Sequence, residues 1–481
     1  MCNLKIKIIA AILAVPLIIF AFFCPSVNRE NNTANIIVKT DNKNIYYGSE
    51  QINLSDLNNP LFSDSEYSYN HKLAVESLRL AVAAFSANVT SLNWGKHTDA
   101  NRDKDIKDYF RKNSFSDVKS CNYDIGLNDE SSKVAFAIAK KPYNHNTDIV
   151  AVAIRGGYYG LEWVDNFNIG TGENSFHTGF KKAADGVFEE IKNYLLQNTK
   201  KKNVKLWISG YSRGGAVANL VAAMLNDNKV NYPCQVYAYT FASPKSVVTD
   251  AQKAHDTTYR NIFNIISPDD PLYNIPPQKW GFGRYGICVV LPEFNDTSYE
   301  GSENLKSGVE KSYFSYTGKT LMLSEGIIDT MVNIVIKTSE SRNFFANNLS
   351  APICDIIRLN LEKYENENGY WVNYKPDELI RKLHGEKGVE SYKRLRGNSF
   401  FKSLSQLGIS IPEEFYTFIV LCHLNGYPEY EDILFTEINV RDLGNISRIS
   451  SFSSLFEAHA HEFYMAWLDN ISIPLLKFTK E

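Results

Sequence analysis

Apolar and polar positions alternate with different periods along this chain. Ala74 to Ser86, AVESLRLAVAAFS, carries apolar residues at helical spacing and predicts an amphipathic helix. Ile106 to Asn113 predicts a shorter one. Four later runs are short, apolar throughout and closed by turn residues: DIVAVAIRGG from Asp148, VKLWISGYS from Val204, QVYAYTFASP from Gln235 and NIFNIISPDD from Asn261. Such runs are buried strands. Between them lie helical stretches, GFKKAADGVFEEIKNYLLQ from Gly179 and GGAVANLVAAMLND from Gly214. Strand and helix alternating at these spacings predict an α/β protein with a mostly parallel sheet covered on both faces. Ligands bind such sheets at the carboxyl ends of the strands. Arg155-Gly156-Gly157, Ser212, Ser243-Pro244 and Asp269-Asp270 all fall at those ends.

The flanks read differently. Lys5 and Lys7 precede an uncharged stretch from Ile8 to Cys24. It is slightly shorter than the ~20 residues that span a bilayer comfortably. Residues 1–26 are thus a signal peptide or a signal anchor. Neither a small-x-small cleavage site nor a good lipobox follows, because Phe23 is bulky. The chain is expected outside the cytoplasm, secreted or anchored to the membrane by this segment. Residues 27–68 are polar and predict a tether. After Leu291 the strand pattern stops. Residues 292–448 hold helical segments such as TLMLSEGIIDTMVNIVI from Thr320 and EEFYTFIVLCHL from Glu413, separated by charged stretches. They predict a helical insertion. SLFEAHAHEFYMAWL from Ser454 predicts a closing helix, within residues 449–481, that returns to the core of residues 69–291.

Composition narrows the partners. The 481 residues are 44% hydrophobic with a net charge of −3, enough apolar surface for a large core. No long basic block is present, so nucleic acid is not an expected partner. The seven cysteines are scattered, without a CxxC pair, which argues against zinc and against a complete disulfide framework. Adjacent Asp269 and Asp270 supply fewer oxygens than a calcium site needs. No metal or cofactor is expected, and oligomeric state is not readable.

Gly210-Tyr211-Ser212-Arg213-Gly214 fits G-x-S-x-G between a strand and a helix. A serine at so tight a corner needs neighbours without side chains. The turn projects its hydroxyl, and the following helix aims its first amides at the place where an oxyanion would form. Serine needs a base, and the base an orienting acid. The acid is sought at Asp269 or Asp270. The chain has nine histidines, of which His71, His97, His145 and His177 precede the serine and His255 falls before the acid strand. His384 lies in a charged stretch and His423 in an apolar helix. Chain order favours His459 or His461, and the residues alone do not choose between them.

These segments resemble the fungal-type, or class 3, lipases of the α/β-hydrolase fold. VAIRGGYYGLEWVDNF, FHTGF, SGYSRGGAVANL, and YTFASPKS followed by NIISPDDPLYNIPP carry the resemblance, in the family's order. It covers about Ala74 to Leu291 and Phe456 to Leu468. It implies Ser212 as nucleophile and Asp270 as acid, counted back from Ile275-Pro276-Pro277. A His-x-x-Glu-x-Tyr pattern implies His459 as base, with His461 second. The backbone amides of Gly157 and Arg213 would form the oxyanion hole, and His177 would be structural. The implied activity is lipid-ester hydrolysis through an acyl-enzyme. A phospholipase, a small-ester esterase or a non-catalytic binding module on the same fold are the alternatives.

Three departures from the family stand out. Gly157 stands where Ser or Thr is usual, which removes a hydroxyl; an oxyanion donor is worth ~10²–10³ in kcat. Tyr211 and Arg213 replace the common His and Leu beside the serine. The insertion is long for the family and is expected to act as a lid or cap that sets substrate choice.

Overall fold

The computed structural model describes residues 61–85, 99–123, 133–157, 165–172, 174–199, 203–229, 233–248, 257–323, 341–350, 376–397 and 457–479, with 402, 420 and 424 besides. The expected leader and most of the expected tether lie outside them, as do most of the helices expected from Thr320 and Glu413. Among the described residues no helix is long and apolar enough to cross a membrane.

An eight-stranded sheet organises the main unit. Its strands are β1 (Ser116–Cys121), β2 (Phe136–Asn144), β3 (Thr147–Ile154), β4 (Asn203–Tyr211), β5 (Cys234–Phe241), β6 (Ile262–Ile266), β7 (Ile287–Val290) and β8 (Lys477–Thr479), laid side by side in chain order. β3 to β7 run parallel, and the edges β1–β2–β3 and β7–β8 are antiparallel. The four strands read from apolar runs are β3 to β6 of the parallel centre. β1, β2, β7 and β8 were not anticipated. The edge strands β1 and β8 meet water, so they lack the continuous apolar run that marks a central one.

Each central strand sends alternate side chains to opposite faces. Ile149, Ala151 and Ala153 share one face with Trp207, Tyr211, Tyr237 and Tyr239. Helices α1 (His71–Ala83) and α7 (His461–Asn470) cover it, together with α2 (Asp99–Lys112). Val150, Val152 and Ile154 join Leu206, Ile208 and Val236 on the other face, under α3 (Thr178–Asn198) and α4 (Arg213–Asp227). This is the α/β-hydrolase layering. α1 is fixed at its start by the Asn70 side chain, which accepts from the Leu73 amide. It is fixed to the sheet by Ser77, which takes a hydrogen bond from Trp207 Nε1 at 2.7 Å. α4 is tied to β6 through Asn219, whose amide nitrogen donates to Asn264 Oδ1 at 2.8 Å, where Thr240 also donates. Helix α5 (Ser302–Thr317) packs on α7, where a Cβ on Gly308 would come within 2.5 Å of Asn470 Oδ1.

Two expected boundaries move. Residues 61–68 are docked rather than tethering: the Phe62 ring is fully buried, 5.7 Å from Trp207 and 5.2 Å from Tyr237. Residues through Leu323, including α5, cluster with the sheet rather than with the insertion. The second unit joins Ser324–Leu455 to Trp163–Glu173. Within it, the Arg342 guanidinium donates to the carbonyls of Ile169 and Gly170, each at 3.0 Å, and Ser350 to that of Phe167. Its helix α6 (Pro376–Arg396) breaks at Gly385, where φ is 67°.

Candidate functional site

β4 ends at Tyr211 and α4 starts at Arg213, so Ser212 alone makes the corner. Its backbone sits at φ 55°, ψ −126°, a strained conformation for a residue with a side chain. Surrounding structure enforces it. The Ser212 amide donates to the Phe241 carbonyl at 2.9 Å, and its own carbonyl accepts from Ala216. A Cβ on Gly210 would fall on the Gly214 carbonyl, and one on Gly214 would lie 2.5 Å from the carbonyl oxygens of Ile154 and Arg155. The glycines thus let strand, helix and the end of β3 meet backbone to backbone.

Asp270 and His459 converge on this corner. Asp270 follows β6 in a turn closed by its amide to the Ser267 carbonyl and by the Tyr273 amide to its own carbonyl. His459 lies in the turn just before α7. Its Nδ1 is 3.0 and 2.9 Å from the two oxygens of Asp270, and its Nε2 is 2.9 Å from Ser212 Oγ. The partners set the tautomer: Nδ1–H donates to the carboxylate and Nε2 accepts from the hydroxyl. Asp270 also accepts from the Leu272 amide at 2.8 Å and from the Tyr464 hydroxyl at 2.7 Å. Three donors thus converge on one buried carboxylate.

The expected helix through both histidines begins only at His461, after Ala460 in extended conformation. His459 stays out of the helix, and its carbonyl accepts from the Tyr211 hydroxyl at 2.6 Å. His461 is buried beside Glu462, its Nδ1 3.3 Å from Glu462 Oε2, and burial holds its imidazole below the ordinary histidine range. It packs 6.4 Å from the Phe85 ring. Burial, with Asp270 nearby, pushes the phenols of Tyr211 and Tyr464 well above their usual range, so both remain donors. Asp269, next to Asp270, turns away: its Oδ2 accepts from the Phe294 amide at 2.9 Å.

Of the two residues expected to supply oxyanion amides, Arg213 directly follows the serine. Arg213 is the first residue of α4. Gly157 is buried, three residues after the end of β3. The chain there is brought in at Gly156, where a Cβ would sit 2.6 Å from Phe85 Cζ and 2.8 Å from the Tyr211 carbonyl oxygen. The Arg213 side chain runs away from the serine and lies over the Phe180 ring, 5.6 Å from its centroid. The other face of that cluster is His177, stacked on Phe180 at 3.7 Å and accepting the Phe180 amide at the start of α3. His177 is therefore distant in role from the serine. His71 bonds the Leu468 carbonyl at 2.8 Å, and His145 sits in the exposed β2–β3 turn. His384 lies in α6 of the second unit, while His97, His255 and His423 lie outside the described residues. Tyr464 and the Tyr211 hydroxyl are the contributors that sequence reasoning missed. Both stood in quoted segments, but a tyrosine in an apolar run gives no sign of its hydroxyl's target. Among the described residues no group of three or more His, Cys, Asp or Glu could hold a metal ion, and Cys121, Cys234 and Cys288 are free thiols.

Residues 151–280 match the family described as lipase (class 3). Over that segment the chain is similar to the class 3 lipases. It is 29% identical over 147 residues to the secreted mono- and diacylglycerol lipase 1 of Fusarium solani, covering 28% of this chain and 41% of that protein. It is 30% identical over 137 residues to phospholipase A1-IIgamma of Arabidopsis thaliana, covering 22% of this chain and 32% of that one. The chain thus spans about two fifths and about a third of the length of these relatives. Among solved structures, the mono- and diacylglycerol lipase from Aspergillus oryzae is similar at 19% identity with a TM-score of 0.33, covering 49% of this chain and 85% of that one.

Proposed function

We propose that this protein is a serine-dependent hydrolase of carboxylic esters that acts on lipid esters. Ser212 Oγ attacks the ester carbonyl while His459 Nε2 takes its proton. The charge that develops on the carbonyl oxygen is received by the amides of Gly157 and Arg213. Asp270 steadies the imidazolium through Nδ1–H. His459 then returns the proton to the leaving alcohol, and the acyl group stays on Ser212. Water, deprotonated by the same imidazole, releases the acid and frees the serine. No cofactor enters this sequence.

The observation that carries the reading is the single imidazole bridging Ser212 Oγ at 2.9 Å and the Asp270 carboxylate. The relatives named for mono- and diacylglycerol and for phospholipid hydrolysis support a glycerolipid ester, acylglycerol first and phospholipid as the second reading. The relative named as secreted, with the charged-then-apolar N-terminal sequence, supports action outside the cytoplasm, either free or anchored through residues 1–26.

A fluorophosphonate probe tests the chemistry. Wild-type protein is expected to label and Ser212→Ala not to. A well-folded wild type that fails to label would leave a binding module in place of an enzyme. A panel of p-nitrophenyl esters, with mono-, di- and triacylglycerol and phosphatidylcholine dispersions, tests the substrate. Equal rates on acetate and on long acyl chains would overturn the lipid assignment.

A further inference from the structure

One side chain reaches from the nucleophile's corner to the base. Tyr211 occupies the position before Ser212, where the resemblance leads one to expect histidine. Its backbone oxygen faces Gly156, close enough that a Cβ there would be 2.8 Å away, which sets the loop carrying Gly157. Its hydroxyl donates to the His459 carbonyl at 2.6 Å, in the buried interior. Its ring lies 5.7 Å from the His459 ring, 6.1 Å from His461 and 5.9 Å from Tyr464, so aromatic neighbours fix its direction. The residue itself is 3% exposed.

The turn that holds His459 is tied at its start by Glu457, whose carboxylate accepts from the Met322 amide at 2.8 Å. Helix α7 begins two residues after His459, and within the turn the Ala460 amide bonds back to Glu457 while the Phe463 and Tyr464 amides bond to Ala460. A buried carbonyl needs a donor, and for His459 that donor is Tyr211. Nucleophile and base arrive from positions 247 residues apart. The Tyr211 hydroxyl ties their backbones together without touching either reacting atom.

We propose that Tyr211 is a positioning residue for the base: its hydroxyl sets the height and rotation of the His459 backbone so that Nε2 meets Ser212 Oγ. This inference rests on the ester-hydrolase reading. A proton relay tolerates little displacement, since reacting groups must stay within hydrogen-bond reach. Loss of the hydroxyl should therefore slow the chemical step and leave substrate binding alone.

The test is Tyr211→Phe in the full chain, assayed for kcat and KM on a p-nitrophenyl ester and for the rate constant of fluorophosphonate labelling. Rates are normalised to the sites finally labelled, so that a smaller folded fraction does not count as a slower enzyme. The expected result is a fall of about tenfold or more in kcat and in labelling rate, about 1.4 kcal/mol per tenfold, with KM within about twofold. Tyr239→Phe serves as the control. It removes another buried tyrosine hydroxyl, which receives the Asn70 amide at 3.0 Å away from the triad, and should leave kcat unchanged. A Tyr211→Phe rate per site within about twofold of wild type overturns the proposal. If that variant loses its near-ultraviolet circular dichroism, Tyr211→Met is measured instead. Methionine fills irregular core space and has no donor for the His459 carbonyl, so the same fall is expected and an unchanged rate overturns the proposal equally. Wild type that does not label at all sinks the hydrolase reading rather than this one.

Discussion

Tyr464 donates its hydroxyl to Asp270 Oδ2 at 2.7 Å, and the same phenolic oxygen accepts from the Ser267 amide at 3.2 Å. The acid thus hangs between its own loop and helix α7, two turns of sequence that meet only in the fold. Hydrogen bonds to charged groups are worth about 1.5–3 kcal/mol. Tyr464→Phe is expected to lower kcat about tenfold, ~1.4 kcal/mol, with KM nearly unchanged and a lower melting temperature. Steady-state kinetics with a thermal scan check it. Unchanged kcat would mean that the Leu272 amide and His459 hold the carboxylate well enough alone.

The two late histidines separate cleanly. His459→Ala removes the proposed base and should cost on the order of 10⁶ in kcat, leaving the fold intact because this residue sits in a turn. His461→Ala opens a hole in a buried cluster with Phe85 and Tyr211 and should cost stability, about 2–3 kcal/mol, with kcat per labelled site within about threefold. Urea titration and active-site-normalised rates measure both. The reverse pattern would assign the base to His461.

That distinction also marks where the sequence stopped being legible. The central strands, the elbow and the acid loop could be read because burial on both faces writes a continuous apolar run, and a crowded corner demands glycines at Gly210 and Gly214. The edge strands could not, since Ser116–Cys121 and Lys477–Thr479 are half-exposed or exposed and mixed in character. The start of α7 was misread for a related reason. Ala458 to Leu468 is apolar enough to be helix throughout, yet the helix starts only at His461, where the His459 carbonyl meets the Tyr211 hydroxyl, 248 residues away. A contact that distant leaves no local pattern. The choice of His459 over His461 is implied by the resemblance to the class 3 lipases, and no periodicity in the chain distinguishes the two.

Gly157 offers a gain rather than a loss. If its amide faces the oxyanion, a hydroxyl on the same residue adds a donor where relatives of this family usually carry one. Gly157→Ser is expected to raise kcat, by up to about tenfold against the ~10²–10³ that a complete donor can be worth, without a change in acyl-chain preference. A kcat ratio on one short and one long ester checks it. A fall in kcat on both esters would show that the loop beside Phe85 and Tyr211 has no room for the side chain in a productive pose.

Asp269 makes the fold sensitive to mild acid in an unusual direction. Burial, with Glu293 and Asp270 adding like charge, pushes its carboxyl from the ordinary 3.8 up to about 6, against the opposing pull of the Phe294 amide and the Ser267 hydroxyl. In the unfolded chain it ionises near 3.8, so between these values the folded protein holds a proton that the unfolded chain has lost. Stability from this group is full below pH 3.8 and drains away as pH rises to about 6. A shift of this size corresponds to roughly 3 kcal/mol. Paired carboxylates elsewhere respond with the opposite sign, so the group is isolated by difference. Asp269→Asn keeps an oxygen for the Phe294 amide and cannot ionise. Relative to wild type, the variant should gain stability steadily from about pH 4 to pH 6 and hold a constant advantage above that, as read from urea midpoints at half-unit steps. A difference independent of pH would mean that water reaches Asp269 freely enough to keep its carboxyl ordinary.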